Sequence, residues 1–199
     1  MTPSRSTRLG AALCALLALA LSTASALSIT AEQPRDASNA ARQTRGDTLR
    51  LGDLFPSLTG PALSGKRIVV PDTTSTRFTV VAFSFSREAG DDARRWNERV
   101  MGDSSMRGRA DGVVVAALGG APRIMRGLIT SGIRRGTPPG VRDQMMVIDH
   151  DDALWKRRLA VSDASRSYVV LLAPNGRVRW MSDGPFDEAR FTRLRDEMR

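Results

Sequence analysis

Ser167-Tyr-Val-Val-Leu-Leu-Ala-Pro-Asn-Gly-Arg-Val-Arg-Trp-Met181 decides how the rest of the chain is read. Two runs rich in β-branched and aliphatic residues flank Ala173-Pro174-Asn175-Gly176. Asn-Gly is the dipeptide that best supplies the positive φ angles of a tight hairpin turn. The stretch therefore predicts an antiparallel hairpin. By strand alternation, Arg177 and Arg179 share one face of its second strand and Val178 and Trp180 the other, with Trp180 turned to the core. After Asp183-Gly184-Pro185, the residues Phe186, Ala189, Leu194 and Met198 mark a closing amphipathic helix.

Working back from the hairpin, Phe78-Thr-Val-Val-Ala-Phe-Ser-Phe85 is a continuous β-prone run, expected of a central strand covered on both faces. Ser86 is placed to cap the helix that follows, in which Ala89, Ala93, Trp96 and Val100 recur with helical period. Gly112-Val-Val-Val-Ala-Ala-Leu118 predicts a second buried strand, so strand, helix and strand form one crossover unit with parallel strands. Pro122 to Ile129 predicts a short helix with Pro in its first turn, and Ser131 to Gly140 a loop. Gln144 to Ile148 predicts another strand. Asp149-His-Asp-Asp152 is expected to cap a helix carrying Leu154, Trp155 and Leu159. Upstream, Leu51 to Lys66 is turn-laden, with Leu54, Phe55, Leu58 and Leu63 available to pin it to the core, and Arg67 to Val70 reads as a short edge strand ended by Pro71.

A crossover unit followed by an antiparallel hairpin and a helix is the order of an α/β, thioredoxin-like three-layer sandwich, whose central mixed sheet ends in a C-terminal β-hairpin and helix. A doubly wound nucleotide fold would need helices between all of its strands.

The N-terminal part divides differently. Residues 1–26 carry Arg5 and Arg8, an apolar run from Leu9 to Leu21 and the small residues Ser22 to Ala26, which is the pattern of a secretory signal cleaved after Ala26. The absence of acids and the later Arg35, Arg42, Arg45 and Arg50 suit an organellar presequence as well, so both addresses stay open. Loss of the segment removes Arg5 and Arg8 and takes the net charge from +9 to +7. Residues 27–48 are polar and aperiodic and are expected to form a disordered linker. Residues 49–199 are then the folded domain.

Composition narrows the chemistry. The chain has 199 residues with 30 Lys+Arg against 21 Asp+Glu, and all but Lys66 and Lys156 of the basic residues are Arg. Few aromatics accompany that charge, which argues against nucleic-acid binding. Cys14 is the single cysteine. Where a thioredoxin-like fold places its redox thiols, at the hand-over from central strand to helix, this chain reads Phe83-Ser-Phe-Ser-Arg-Glu-Ala-Gly90. No Cys-x-x-Cys is present, dithiol exchange is excluded by elimination, and the chain is expected not to be an enzyme. Residual activity from Ser86, Arg87 and Glu88 is the alternative. Ser84 and Ser86 have no base nearby in sequence. The Asp149–Asp152 acids do not converge as metal ligands must, so no metal and no cofactor is expected. Arg134, Arg135 and Arg142, set beside Pro138-Pro139, and the pair Arg177 and Arg179 are the candidate partner-binding residues, for an acidic partner or an anionic membrane surface.

Leu54-Phe-Pro-Ser-Leu-Thr-Gly-Pro-Ala-Leu-Ser-Gly-Lys66, then Ile133-Arg-Arg with Pro138 running to Arg142-Asp143, then Tyr168-Val-Val-Leu-Leu with Gly176-Arg-Val-Arg-Trp180 and Asp183-Gly184, occur in that order. Together these blocks resemble the mitochondrial ATPase-complex assembly factors, thioredoxin-like chaperones for the membrane sector of the F1Fo ATP synthase. The resemblance implies binding of a hydrophobic Fo subunit, without catalysis, by a protein peripheral to the mitochondrial inner membrane. The alternative is an exported protein, periplasmic or secreted after cleavage near Ala26, with the same cysteine-less fold and an unknown ligand.

Overall fold

The structure is a computed structural model that describes residues 48–199. The targeting segment, Cys14 and nearly all of the expected linker lie outside the described residues. Five strands form the central sheet in the order β5-β4-β3-β6-β7, and a separate two-stranded ladder pairs β1 (Leu58–Pro61) with β2 (Arg67–Val70). The central strands are β3 (Phe78–Ser84), β4 (Ala110–Ala117), β5 (Met145–Ile148), β6 (Tyr168–Leu172) and β7 (Val178–Asp183). The helices are α1 (Arg87–Gly102), α2 (Arg123–Gly136), α3 (Asp152–Arg158) and α4 (Glu188–Asp196), with a 3-10 turn at Pro139–Gln144 before β5.

The expected crossover is present: β3 and β4 run parallel, with Val81 opposite Val113. β5 adds in parallel beyond β4, while β6 pairs antiparallel with β3 and carries β7 as a hairpin. Because side chains alternate along a strand, the sheet has two apolar faces. Val81 and Phe83 of β3 and Tyr168, Val170 and Leu172 of β6 face Phe55, Leu58, Trp155 and Leu159. Val80, Ala82, Val169 and Leu171 face Trp96 and Val100 of α1 and Phe191 and Leu194 of α4. Each fully buried Val, Leu or Phe stabilises the fold by about 1.5–3 kcal/mol relative to exposure.

Four sequence expectations need correction. Leu58–Pro61 is a strand, since pairing with Arg67–Val70, itself the short strand expected, overrides the local turn signals. Phe55, Leu58 and Leu63 are buried as expected, but Leu54 is exposed and instead bridges to Arg177 through its backbone. The expected loop from Ser131 is helical as far as Gly136. Asp151 precedes α3 in a left-handed conformation with no side-chain cap bond; Asp152 pairs with Lys156 at 2.7 Å, and His150 Nδ1 lies 3.2 Å from an Asp149 carboxylate oxygen.

The hairpin itself is built differently from a two-residue turn. Gly176 N–H donates to the Ala173 carbonyl at 2.8 Å, and Gly176 alone of the four turn residues has positive φ, at 76°. A one-residue irregularity follows, pairing Leu172 with Val178 and Leu171 with Trp180. Arg179 is the extra residue. Simple alternation therefore fails: Val178 joins the face of Tyr168, and Trp180 joins the opposite face beside Trp96.

At the other end of α1, Asp103 accepts from the Ser105 hydroxyl at 2.5 Å and from its N–H at 2.8 Å, and pairs with Arg99 at 3.0 Å. The Ser105 hydroxyl is the largest influence holding the Asp103 carboxyl below the usual range, against a smaller opposing effect of burial. A depressed folded-state value stabilises the protein above the ordinary carboxylate range, and the benefit disappears as pH falls through the folded value. Asp103→Asn is accordingly expected to lower the unfolding temperature at pH 7, with wild type and variant converging on acidification. Thermal melts across pH 2.5–7 check this, a range spanning the ordinary value of about 3.9; a constant offset would show that the carboxylate charge is not responsible.

Candidate functional site

Ser84 ends β3 and Ser86 begins α1, so the central strand hands over to the helix inside a cleft. Ser86 is the N-cap: its hydroxyl accepts from Ala89 N–H at 3.1 Å, meeting one of the donors that a helix start leaves unpaired. Ser84 is buried, and its hydroxyl donates to the Val115 carbonyl at 3.3 Å. Between α1, α2 and the ends of β3 and β4 lies a cavity of ≈ 680 Å³. Val114, Ala116 and Ala117 form its floor, Ile129 and Ile133 its α2 wall, and Ser86, Arg87 and the Asp91–Arg94 ion pair its rim. The carboxyl ends of parallel strands are where open α/β sheets place their ligands.

Two properties of α2 create this space. Its inward positions include Gly132 and Gly136, where an added Cβ would meet no atom within 4 Å. The helix also buries none of its residues fully. It is tethered instead by Arg126, whose guanidinium donates to the carbonyls of Ala121 at 3.0 Å, Gly119 at 3.0 Å and Asp149 at 2.8 Å. Arg126 thus ties the first turn of α2 to the chain leaving β4 and β5. Sequence reading passed over Arg126, since nothing local separates it from its exposed neighbours. The i, i+4 pairs Ile129/Ile133 and Gly132/Gly136 were the available signal for the cavity wall.

The candidate partner-binding arginines fall into two groups at opposite edges of the sheet. Arg134 and Arg135 occupy the last turn of α2, not a loop, where cations complement the helix dipole, and both are exposed. Arg142 is half-buried and its Nε donates to the Thr137 carbonyl at 2.9 Å, so it is engaged in holding the turn after α2. Arg177, just before β7, reaches the Gly52 carbonyl at 2.7 Å, while Arg179 on β7 approaches Glu197 at 3.9 Å. Both arginines border a shallow hollow of ≈ 330 Å³ with Leu51 and Asn175. The two groups do not make one cationic surface.

Among the described residues, no group of three or more His, Cys, Asp or Glu side chains could hold a metal ion. No helix among them is long and apolar enough to cross a membrane.

The sheet order, the crossover and the closing hairpin define a thioredoxin-like fold, and comparison with solved structures bears this out. The thioredoxin domain of a thiol-disulfide oxidoreductase from Bacteroides vulgatus superposes with a TM-score of 0.54 at 10% identity, covering 76% of this chain and 100% of that one. A protein from Chlorobium tepidum assigned as the thiol:disulfide interchange protein DsbE gives 0.53 at 14%, covering 76% and 96%. The exposed lipoprotein thioredoxin Etrx1 of Streptococcus pneumoniae gives 0.54 at 10%, covering 71% and 99%. At such identities the likeness is one of fold. No family model matches the chain, and no curated relative matches it by sequence.

These neighbours correct one expectation. A chain that is not an enzyme was expected from its lack of redox cysteines, yet the structures it matches are a thiol-disulfide oxidoreductase and a protein assigned to thiol:disulfide interchange. The fold is one that carries catalysis in those proteins, and absence of activity does not follow from it. What the sequence does fix is narrower: Cys14, the single cysteine, lies outside the described residues, and Ser86-Arg87-Glu88-Ala89 occupies the start of α1.

Proposed function

We propose that this thioredoxin-like protein works by taking a ligand or a partner segment into the cavity between α1 and α2, and that it is exported after cleavage near Ala26. The observation carrying this reading is the cavity itself. Its volume lies in the range of small-molecule sites, its floor is apolar, and its few polar groups gather at one rim, which are the attributes of a binding cleft. The pneumococcal neighbour, described as an exposed lipoprotein, supports the address.

Filling the cleft tests the reading. Gly132→Trp places an indole where an added Cβ meets nothing within 4 Å, so the variant is expected to fold. Wild-type full-length protein purified gently from its own cells is expected to carry a bound species by native mass spectrometry, and the variant to lose it. A species retained equally by the variant would place binding elsewhere.

A narrower reading is assembly of the ATP synthase membrane sector through a hydrophobic Fo subunit at the mitochondrial inner membrane. It draws support from the sequence blocks and from the exposed apolar residues Ile124, Met125 and Leu128. Localisation of tagged full-length protein separates the two: a wholly extracytoplasmic pool rules out the assembly role, and a membrane-sector subunit in the purified complex supports it.

A further inference from the structure

We propose that the outer face of α2 is a docking surface for an anionic phospholipid membrane, a role distinct from whatever fills the cavity behind it. The helix reads Arg-Ile-Met-Arg-Gly-Leu-Ile-Thr-Ser-Gly-Ile-Arg-Arg-Gly. It holds four arginines and no acid. Ile124 is 92% exposed and Leu128 62% exposed, an unusual cost for aliphatic side chains at the protein surface.

At 100° per residue, Ile124, Leu128 and Arg135 stand at i, i+4 and i+11 and fall on one stripe, and Arg123 and Arg134, at i and i+11, fall on a second stripe roughly 110° round the helix. Both stripes lie away from Ile129 and Ile133, which line the cavity, while Gly132, one turn after Leu128, borders the cavity at the edge of the first stripe. The guanidinium groups of Arg123, Arg134 and Arg135 make no hydrogen bond or ion pair among the described residues. Arg126, by contrast, is committed to three carbonyls. The outer face therefore offers two bulky aliphatic side chains framed by three uncommitted guanidinium groups.

Charge selects the occupant. A neutral apolar partner would leave three cations next to its desolvated surface, whereas anionic headgroups neutralise them while the aliphatic side chains enter the acyl boundary. Basic residues on the polar side and aliphatic residues at the centre are the pattern of helices that lie in the interface plane.

The experiment uses the full chain with two vesicle preparations, pure phosphatidylcholine and a mixture containing about one-third phosphatidylserine. Co-sedimentation is expected to favour the anionic vesicles. Arg134→Gln with Arg135→Gln is expected to weaken that binding by about tenfold or more, and Ile124→Ser with Leu128→Ser to weaken it too without loss of fold. Hydrogen exchange distinguishes α2 from the apolar N-terminal run: anionic vesicles should protect the amides of residues 123–136. Equal binding to both vesicles with α2 unprotected, or binding unchanged in both double variants, would overturn the proposal, as would no binding at all.

Discussion

Trp96→Ala is expected to lower stability by about 3–5 kcal/mol, the range for deleting a large aromatic from a packed core. Trp96 is fully buried on α1, with ring contacts to Trp180 at 6.0 Å, Phe186 at 5.1 Å and Phe191 at 6.5 Å. Those three rings come from β7, from the chain entering α4, and from α4 itself. One side chain therefore fastens the hairpin and the last helix to α1. A typical domain is stable by only about 5–15 kcal/mol, so the variant should be close to unfolding at physiological temperature. Trp96→Phe supplies the contrast. The buried indole Nε1 has no hydrogen-bond partner, so phenylalanine forfeits ring area without orphaning an acceptor. Its cost should be well below half that of alanine. Urea unfolding followed by far-UV circular dichroism compares the two; an alanine variant as stable as the phenylalanine variant would mean the ring cluster adds little.

That cluster also shows which parts of the fold were legible in the sequence. Ala89, Ala93, Trp96 and Val100 repeat with a clean helical period, and all four are buried, so α1 and its buried face could be read directly. The strands β3, β4 and β6 were equally plain, because burial on both faces leaves an unbroken apolar run. Leu58–Pro61 was not, since its strand character comes from pairing across a turn and not from its Gly and Pro residues. Nor could the place of Trp180 be read: alternation puts it with Val178, and only the cross-strand register, which spends one residue on Arg179, turns it towards Trp96. The site was least legible of all. Ser86 at the start of α1 was identified by position, but the cavity depends on how far α2 stands from the sheet, and the length of α2 was itself underread across its glycines.

Arg126→Ala is expected to release α2. The helix buries no residue fully, so the usual source of helical stability, an apolar face packed on a core, is weak here. Three hydrogen bonds from one guanidinium take its place, each with a charged donor and a carbonyl acceptor. Bonds of this kind contribute about 1.5–3 kcal/mol each when buried, and partial exposure of Arg126 reduces the net effect to roughly 1–3 kcal/mol for the set. Because α2 stands at the edge of the domain and the other helices pack without it, the loss should appear as local opening more than global unfolding. Amides of residues 123–136 are expected to exchange about tenfold faster or more, while those of β3 and β6 stay protected. Arg126→Lys should rescue little, since an ammonium cannot reproduce a planar fork aimed at three acceptors. If α2 kept wild-type exchange in the alanine variant, the helix would be held by its contacts with the cavity wall. If it opens as expected, Ile129 and Ile133 leave the cavity while Ile124 and Leu128 change their presentation, so one side chain governs both the cleft and the outer face.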